Sequence, residues 1–286
     1  MTDLKLIECP RDAMQGLHDF IPTNIKANYI NQLLKVGFDT IDFGSFVSPK
    51  AIPQMKDTAE VLKQLDLSNT TSKLLAIVAN QRGANDAVQF DEIDYLGFPF
   101  SVSETFQKRN TNASIDQSLH KVEAMQETAL KHNKQLVVYL SMAFGNPYGD
   151  KWDVDIVAKW SELLHQQFEI NILALSDTIG VSKPNTIDYL FTHLIKAFPK
   201  VEFGAHLHST PQTALEKVES AYQAGCRRFD GAIKGFGGCP MAKDDLTGNM
   251  PTELMLDYFN KNNIPTSINT KEFKKAMELA VNVFPN

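Results

Sequence analysis

Two histidines, His206 and His208, stand two apart in the apolar run EFGAHLHST (202–210). On an extended strand that spacing turns both side chains to one face. Paired neutral imidazoles are ready ligands for a divalent cation, and a carboxylate with an amide oxygen would complete a set open to substrate. Taken alone, the pair reads slightly better as one structural and one exposed histidine. Other residues able to do chemistry are Arg11 and Asp12 after the first apolar run, Asp42 leading into Ser45 in the second, and Asp177 closing the sixth. Cys239 and Asn249 follow in GFGGCPMAKDDLTGN (235–249). Each has a plain use as well: Asp12 and Asp177 as helix caps, Asp42 as a satisfied rim carboxylate, Cys239 as an inert thiol. Cys239 nevertheless follows two glycines and precedes a proline, in a loop with backbone freedom where a thiol can move a proton. Cys9, in a strand, and Cys226, after a helix end, read as unremarkable core thiols.

The elements that must position these residues are eight short apolar runs: 4–9, 40–45, 74–79, 93–98, 136–141, 172–177, 202–208 and 227–233. They are nearly continuous in hydrophobicity, as strands covered on both faces should be. Amphipathic stretches lie between them. Ile187, Leu190, Phe191, Leu194, Ile195 and Phe198 follow the helical template. Pro184 and Pro211 suit first-turn positions, and Ser114 with Gln117 suits a capping box. Alternating βα units predict an α/β protein with a parallel sheet, and eight of them predict a (β/α)8 TIM barrel. The rival, an open doubly wound sheet, would carry a glycine-rich phosphate loop after its first strand; CPRDAMQG is no such loop. Residues 1–286 read as one domain with an added C-terminal helix near 270–282. In a closed barrel, strand one neighbours strand eight, and strand eight neighbours strand seven. Asp12, both histidines and the loop holding Asn249 therefore converge at the C-terminal mouth, where barrel chemistry sits. That convergence raises the metal reading above the plain one.

Composition excludes several classes. The net charge is −6 and Lys and Arg form no long run, against a nucleic-acid role. The three cysteines make no CxxC, against a structural zinc site, and the low odd count suits a reducing compartment. No run approaches about 18 apolar residues, so no membrane span is predicted. No targeting pattern opens the chain, and the expected location is cytoplasmic.

PRDAMQ (10–15), SFVSPKAIPQM (45–55), SDTIGV (176–181), AHLHST (205–210), GFGGCP (235–240) and TGN (247–249) together resemble the 3-hydroxy-3-methylglutaryl-CoA lyase family. The resemblance implies a metal-dependent TIM-barrel catalytic domain of the pyruvate carboxyltransferase-like type. It implies cleavage of 3-hydroxy-3-methylglutaryl-CoA to acetoacetate and acetyl-CoA, as in leucine breakdown and ketone-body metabolism. It implies Asp12, His206, His208 and Asn249 as ligands of Mg²⁺ or Mn²⁺. Arg11 would stabilise the enolate oxygen, Cys239 would protonate the carbanion, and His206 would also shuttle a proton. Asp177 matches an active-site carboxylate. Asp42 stands where the family has glutamate, and Ser209 where it usually has aspartate. Gln15 and Ser45 would line the substrate end, and Lys50, with Lys108 and Arg109, would meet an acyl-CoA thioester. Relatives imply a homodimer. Two alternatives stay open: a related retro-aldol or Claisen enzyme acting on another acyl-CoA or keto acid, and a catalytically silent barrel with a binding role. A non-haem iron oxygenase triad is a further, weaker fit to two histidines and a carboxylate.

Overall fold

The computed structural model describes residues 3–238 and 247–284. Its eight main strands are β1 (Lys5–Glu8), β2 (Thr40–Ser45), β3 (Lys73–Ile77), β4 (Tyr95–Ser101), β5 (Gln135–Ser141), β6 (Ile172–Asp177), β7 (Glu202–Ser209) and β8 (Arg228–Gly231). All neighbours in this set pair in parallel; β8 returns to β1 and β6 joins β7, so the sheet closes as a TIM barrel. The helices are α1 (Pro10–Gln15), α2 (Thr23–Leu34), α3 (Thr58–Leu62), α4 (Gln81–Ala87), α5 (Glu104–Thr111), α6 (Ile115–Lys131), α7 (Val154–Phe168), α8 (Pro184–Ala197), α9 (Ala214–Gln223), α10 (Thr252–Lys261) and α11 (Thr270–Val283).

Inward-facing Leu75, Tyr95, Val137, Tyr139, Ile172 and Ala174 pack against one another inside the barrel. Their sequence neighbours Leu74, Ala76, Leu96, Val138 and Leu173 pack outward under the helices. Burial on both faces is why the strands show no clean alternation. Helix starts follow local chemistry: Ser114 and Gln117 form a reciprocal capping box before α6, and Pro184 opens α8. Pro211 does not open α9. The Thr210 carbonyl accepts from the amides of Thr213 and Ala214 at 3.0 and 3.1 Å, and this turn delays the helix to Ala214. The added helix α11 closes over α2, with Tyr29 and Phe284 edge-to-face at 5.7 Å.

One buried carboxyl belongs to the frame. Glu8 accepts from the Ile233 amide at 2.8 Å and the Thr252 hydroxyl at 2.6 Å. Burial dominates these bonds and pushes its pKa up to about 8, from 4.5. A carboxyl raised on folding gives stability that is full below the unfolded value and is lost as pH rises through the folded one. Stability should therefore decline between pH 4.5 and about 8 on account of Glu8. Glu8→Gln should flatten that decline by up to about 3 kcal/mol between pH 6 and 8.5. Urea midpoints at the two pH values measure it; equal slopes in parent and variant would refute it.

Candidate active site

The site assembles from three strand ends. α1 starts directly after β1 with Pro10 in its first turn, so Arg11 and Asp12 sit on a six-residue helix rather than on the strand itself. β7 outruns β8: their register stops at Ala205 and Phe229. Beyond it, His208 and Ser209 pair antiparallel with Asn249 and Gly248 of a ninth strand, β9 (Gly248–Asn249). That ladder sets Asn249 opposite His208. Gly237, at φ +95°, passes so close that a Cβ would stand 2.9 Å from the Asp12 carbonyl and 2.7 Å from Asn249 Nδ2. Glycine is required there by contact as well as by backbone conformation.

Donor atoms of Asp12, His206 and His208 all lie within 4.8 Å of one another. Asn249 Nδ2 donates to Asp12 Oδ2 at 2.8 Å and to the Phe236 carbonyl at 2.9 Å. His208 is buried, and its Nδ1 has no hydrogen-bond partner among the described residues. Burial, then His206, pulls the His208 pKa down to about 4, so the ring is neutral near pH 7 with a free lone pair. Burial raises Asp12, but Arg11 and the two histidines outweigh it and hold the carboxyl below its usual range. His206 Nδ1 meets Asp230 Oδ2 at 3.1 Å. Burial lowers the His206 pKa, yet the bond and charge of Asp230 prevail and the net shift is upward. A carboxylate, a neutral imidazole with an unpartnered nitrogen and a side-chain amide are a donor set that fits a divalent cation.

Arg11 is held on three sides. Its Nε donates to both Asp42 oxygens at 3.1 Å, and Nη2 donates to Asp42 Oδ2. Its Nη1 donates to Asp12 Oδ1 at 2.8 Å and Gln15 Oε1 at 3.0 Å. A guanidinium has five N–H groups, so one hydrogen on Nη2 lacks an acceptor among the described residues. Asp42 is fully buried, and burial pushes its pKa up to about 6 despite Arg11.

These groups floor a cavity of about 420 Å³, lined by Arg11, Asp12, Gln15, Ser45, His206 and His208 together with Ser48, Asn80, Arg109 and Lys121. That volume suits a small ligand. Not every sequence candidate reaches it. Asp42 and Asn249 are off the lining: Asp42 is bonded to Arg11, and Asn249 is bonded through Nδ2 to Asp12, which leaves Asn249 Oδ1 uncommitted among the described residues. Asp177 is turned away: its oxygens accept from the Val181 and Ser182 amides at 2.9 and 3.0 Å and from Lys217 Nζ at 2.8 Å. It organises the turn after β6, closer to the cap that its sequence context allowed. Lys50 is exposed and off the lining; Lys108 pairs with Glu104 on α5 at 3.0 Å. Arg109 does line the cavity, its guanidinium 4.7 Å from the Tyr148 ring centre. Cys239 lies outside the described residues.

Three residues of the site went unmarked in sequence. Lys217 on α9 is buried and bonds the His208 carbonyl at 2.8 Å besides Asp177. Asp230 orients His206. Cys9, read as a plain core thiol, has its sulfur within 4.8 Å of donor atoms of His206 and Asp230. The usable signal was RFD (228–230), which puts Arg228 and Asp230 on one strand face, two apart like the histidines.

The HMGL-like family model matches residues 4–280. A hydroxymethylglutaryl-CoA lyase of Bacillus subtilis is 35% identical over 267 residues, 93% of this chain and 88% of that protein. The crystal structure of a B. subtilis HMG-CoA lyase superposes with a TM-score of 0.91 at 33% identity, covering 98% of this chain and 93% of that one. An Acinetobacter baumannii HMG-CoA lyase, solved with coenzyme A and 3-methylmalate, gives a TM-score of 0.90 at 30% identity, with 99% and 93% covered. Among the described residues no helix is long and apolar enough to cross a membrane.

Proposed function

Because the chain belongs to the HMGL-like lyase family, we propose that it cleaves 3-hydroxy-3-methylglutaryl-CoA to acetoacetate and acetyl-CoA in a reaction that needs a divalent cation. The observation carrying this is the joining of a metal-capable set, Asp12, His206 and His208, to an arginine with one spare N–H in a single cavity. Asp12, His206, His208 and Asn249 would hold Mg²⁺ or Mn²⁺, which when bound polarises an oxygen and eases its deprotonation. His206 would take up the proton of the tertiary hydroxyl on its other ring nitrogen when that nitrogen is not on the ion, and Asp230 Oδ2, 3.1 Å from Nδ1, would hold the resulting imidazolium. As the carbon–carbon bond breaks, negative charge grows on the thioester oxygen. The spare Nη2 hydrogen of Arg11 is available to that oxygen, and its guanidinium is already fixed by Asp42, so little reorganisation is needed. Cys239 then protonates the carbanion. Gln15 and Ser45 border the acyl end, and Arg109 offers positive charge to the coenzyme. The A. baumannii relative's bound coenzyme A supports an acyl-CoA ligand.

The test is direct. Protein stripped with a chelator should form no acetoacetate from the thioester, and reloading with Mg²⁺ or Mn²⁺ should restore it. Absence of product with either ion, in protein shown calorimetrically to bind that ion, would overturn the proposal.

A further inference from the structure

Below the cavity floor, the barrel interior holds a second group of ligand atoms. The sulfur of Cys9, a ring nitrogen of His206 and a carboxylate oxygen of Asp230 lie within 4.8 Å of one another. Cys9 and Asp230 are buried, at 0% and 2% exposure, and Asp230 Oδ1 has no hydrogen-bond partner among the described residues. The His206 Nδ1 to Asp230 Oδ2 separation is 3.1 Å. Two ligands bound at about 2.0–2.1 Å around a tetrahedral ion stand roughly 3.3 Å apart, so an ion fits between them with a shift of a few tenths of an ångström. The charge balance also admits one. Asp12, Asp42 and Asp230 act on the thiol against the guanidinium of Arg11, while Arg228, drawn to Asp230, is engaged at its far end by Glu202 at 3.1 Å. His206 lines the cavity and leads from it to Cys9.

We propose that Cys9, His206 and Asp230 form a second cation site, selective for thiophilic ions such as Zn²⁺ or Cd²⁺. Thiolate, imidazole and carboxylate make three ligands of a tetrahedral site, with the fourth position open. On binding, the Cys9 thiol gives its proton to solvent, the hydrogen of the His206–Asp230 bond moves to the other ring nitrogen, and the freed sulfur, Nδ1 and carboxylate oxygen bond the ion. The site differs from the Asp12 set in its sulfur donor, which magnesium-type ions avoid. The two share His206, and a neutral imidazole offers one lone pair, so an ion held below and one held by the same ring above exclude each other.

The test reads binding and does not depend on turnover. The full chain is titrated with Cd²⁺ in excess Mg²⁺, following the ultraviolet thiolate-to-cadmium charge-transfer absorption. One Cd²⁺ per chain should give the band. A Cys226→Ala/Cys239→Ala variant, which keeps only Cys9, should retain it, and Cys9→Ala should lose it. Asp12→Ala should keep it, separating this site from the upper one. No band in the folded variant holding only Cys9, or an undiminished band in Cys9→Ala, would overturn the proposal. If Cys9→Ala fails to fold, the variant holding only Cys9 decides alone. The band is independent of whether the thioester is cleaved.

Discussion

Arg11→Met should lower turnover of the proposed thioester by roughly 10²–10³-fold, the usual loss when a preorganised oxyanion donor is removed. The guanidinium serves two ends. Inward, it compensates the buried carboxylates of Asp42 and Asp12. Outward, its spare hydrogen would meet the charge that develops in the proposed reaction. Because Asp42 and Gln15 take the other donors, Arg11 cannot swing to substrate in the ground state, so the loss should fall on kcat more than on KM. Arg11→Lys should recover little, since an ammonium cannot fork Asp42 and keep its place. Steady-state kinetics at saturating Mn²⁺, with the thermal midpoint measured alongside, check this. Turnover within tenfold of the parent, in folded protein, would remove Arg11 from the mechanism.

Lys217→Met carries the largest expected effect on stability. The ammonium and the Asp177 carboxylate are 2% and 1% exposed and 2.8 Å apart. Deleting one partner strands the other in the interior, at about 3–5 kcal/mol. That corresponds to a fall of roughly 10 °C in thermal midpoint. The Gly180 and His208 carbonyls lose their donor as well. Cation affinity should then drop by roughly 10-fold as β7 loses an outer support. Adding Asp177→Asn to Lys217→Met should return more than half of the lost stability, because the stranded charge is gone. A single variant as stable as the parent would show that the pair is structurally idle.

The barrel was legible because its strands are covered on both faces and stay apolar throughout, and all eight runs became strands. The histidine pair was legible because period two survives any shift of strand ends. Other features depend on contacts that spacing does not carry. CPRD reads as a strand end, yet Pro10 in the first turn starts a helix there. Lys217 occupies a polar position of an amphipathic helix, and nothing local distinguishes a solvated lysine from one reaching under the next strand. Asp177 looks catalytic by its company, but its oxygens are taken by the turn that follows it. Cys9 is apolar in pattern, and the ligand atoms beside its sulfur belong to residues more than 190 positions away.

The short antiparallel pairing of β9 with β7 also bears on how the molecule is finished. Asn249 reaches Asp12 across 237 residues of sequence. The amide and the carboxylate therefore meet only once nearly the whole chain has been synthesised and the ring has shut. An ion bound there rewards the completed barrel alone and has nothing comparable to hold in a truncated one. By mass action the binding energy of the proposed ion would be added to the folded state, so such an ion would serve as a late fastener on a ring whose two ends it joins.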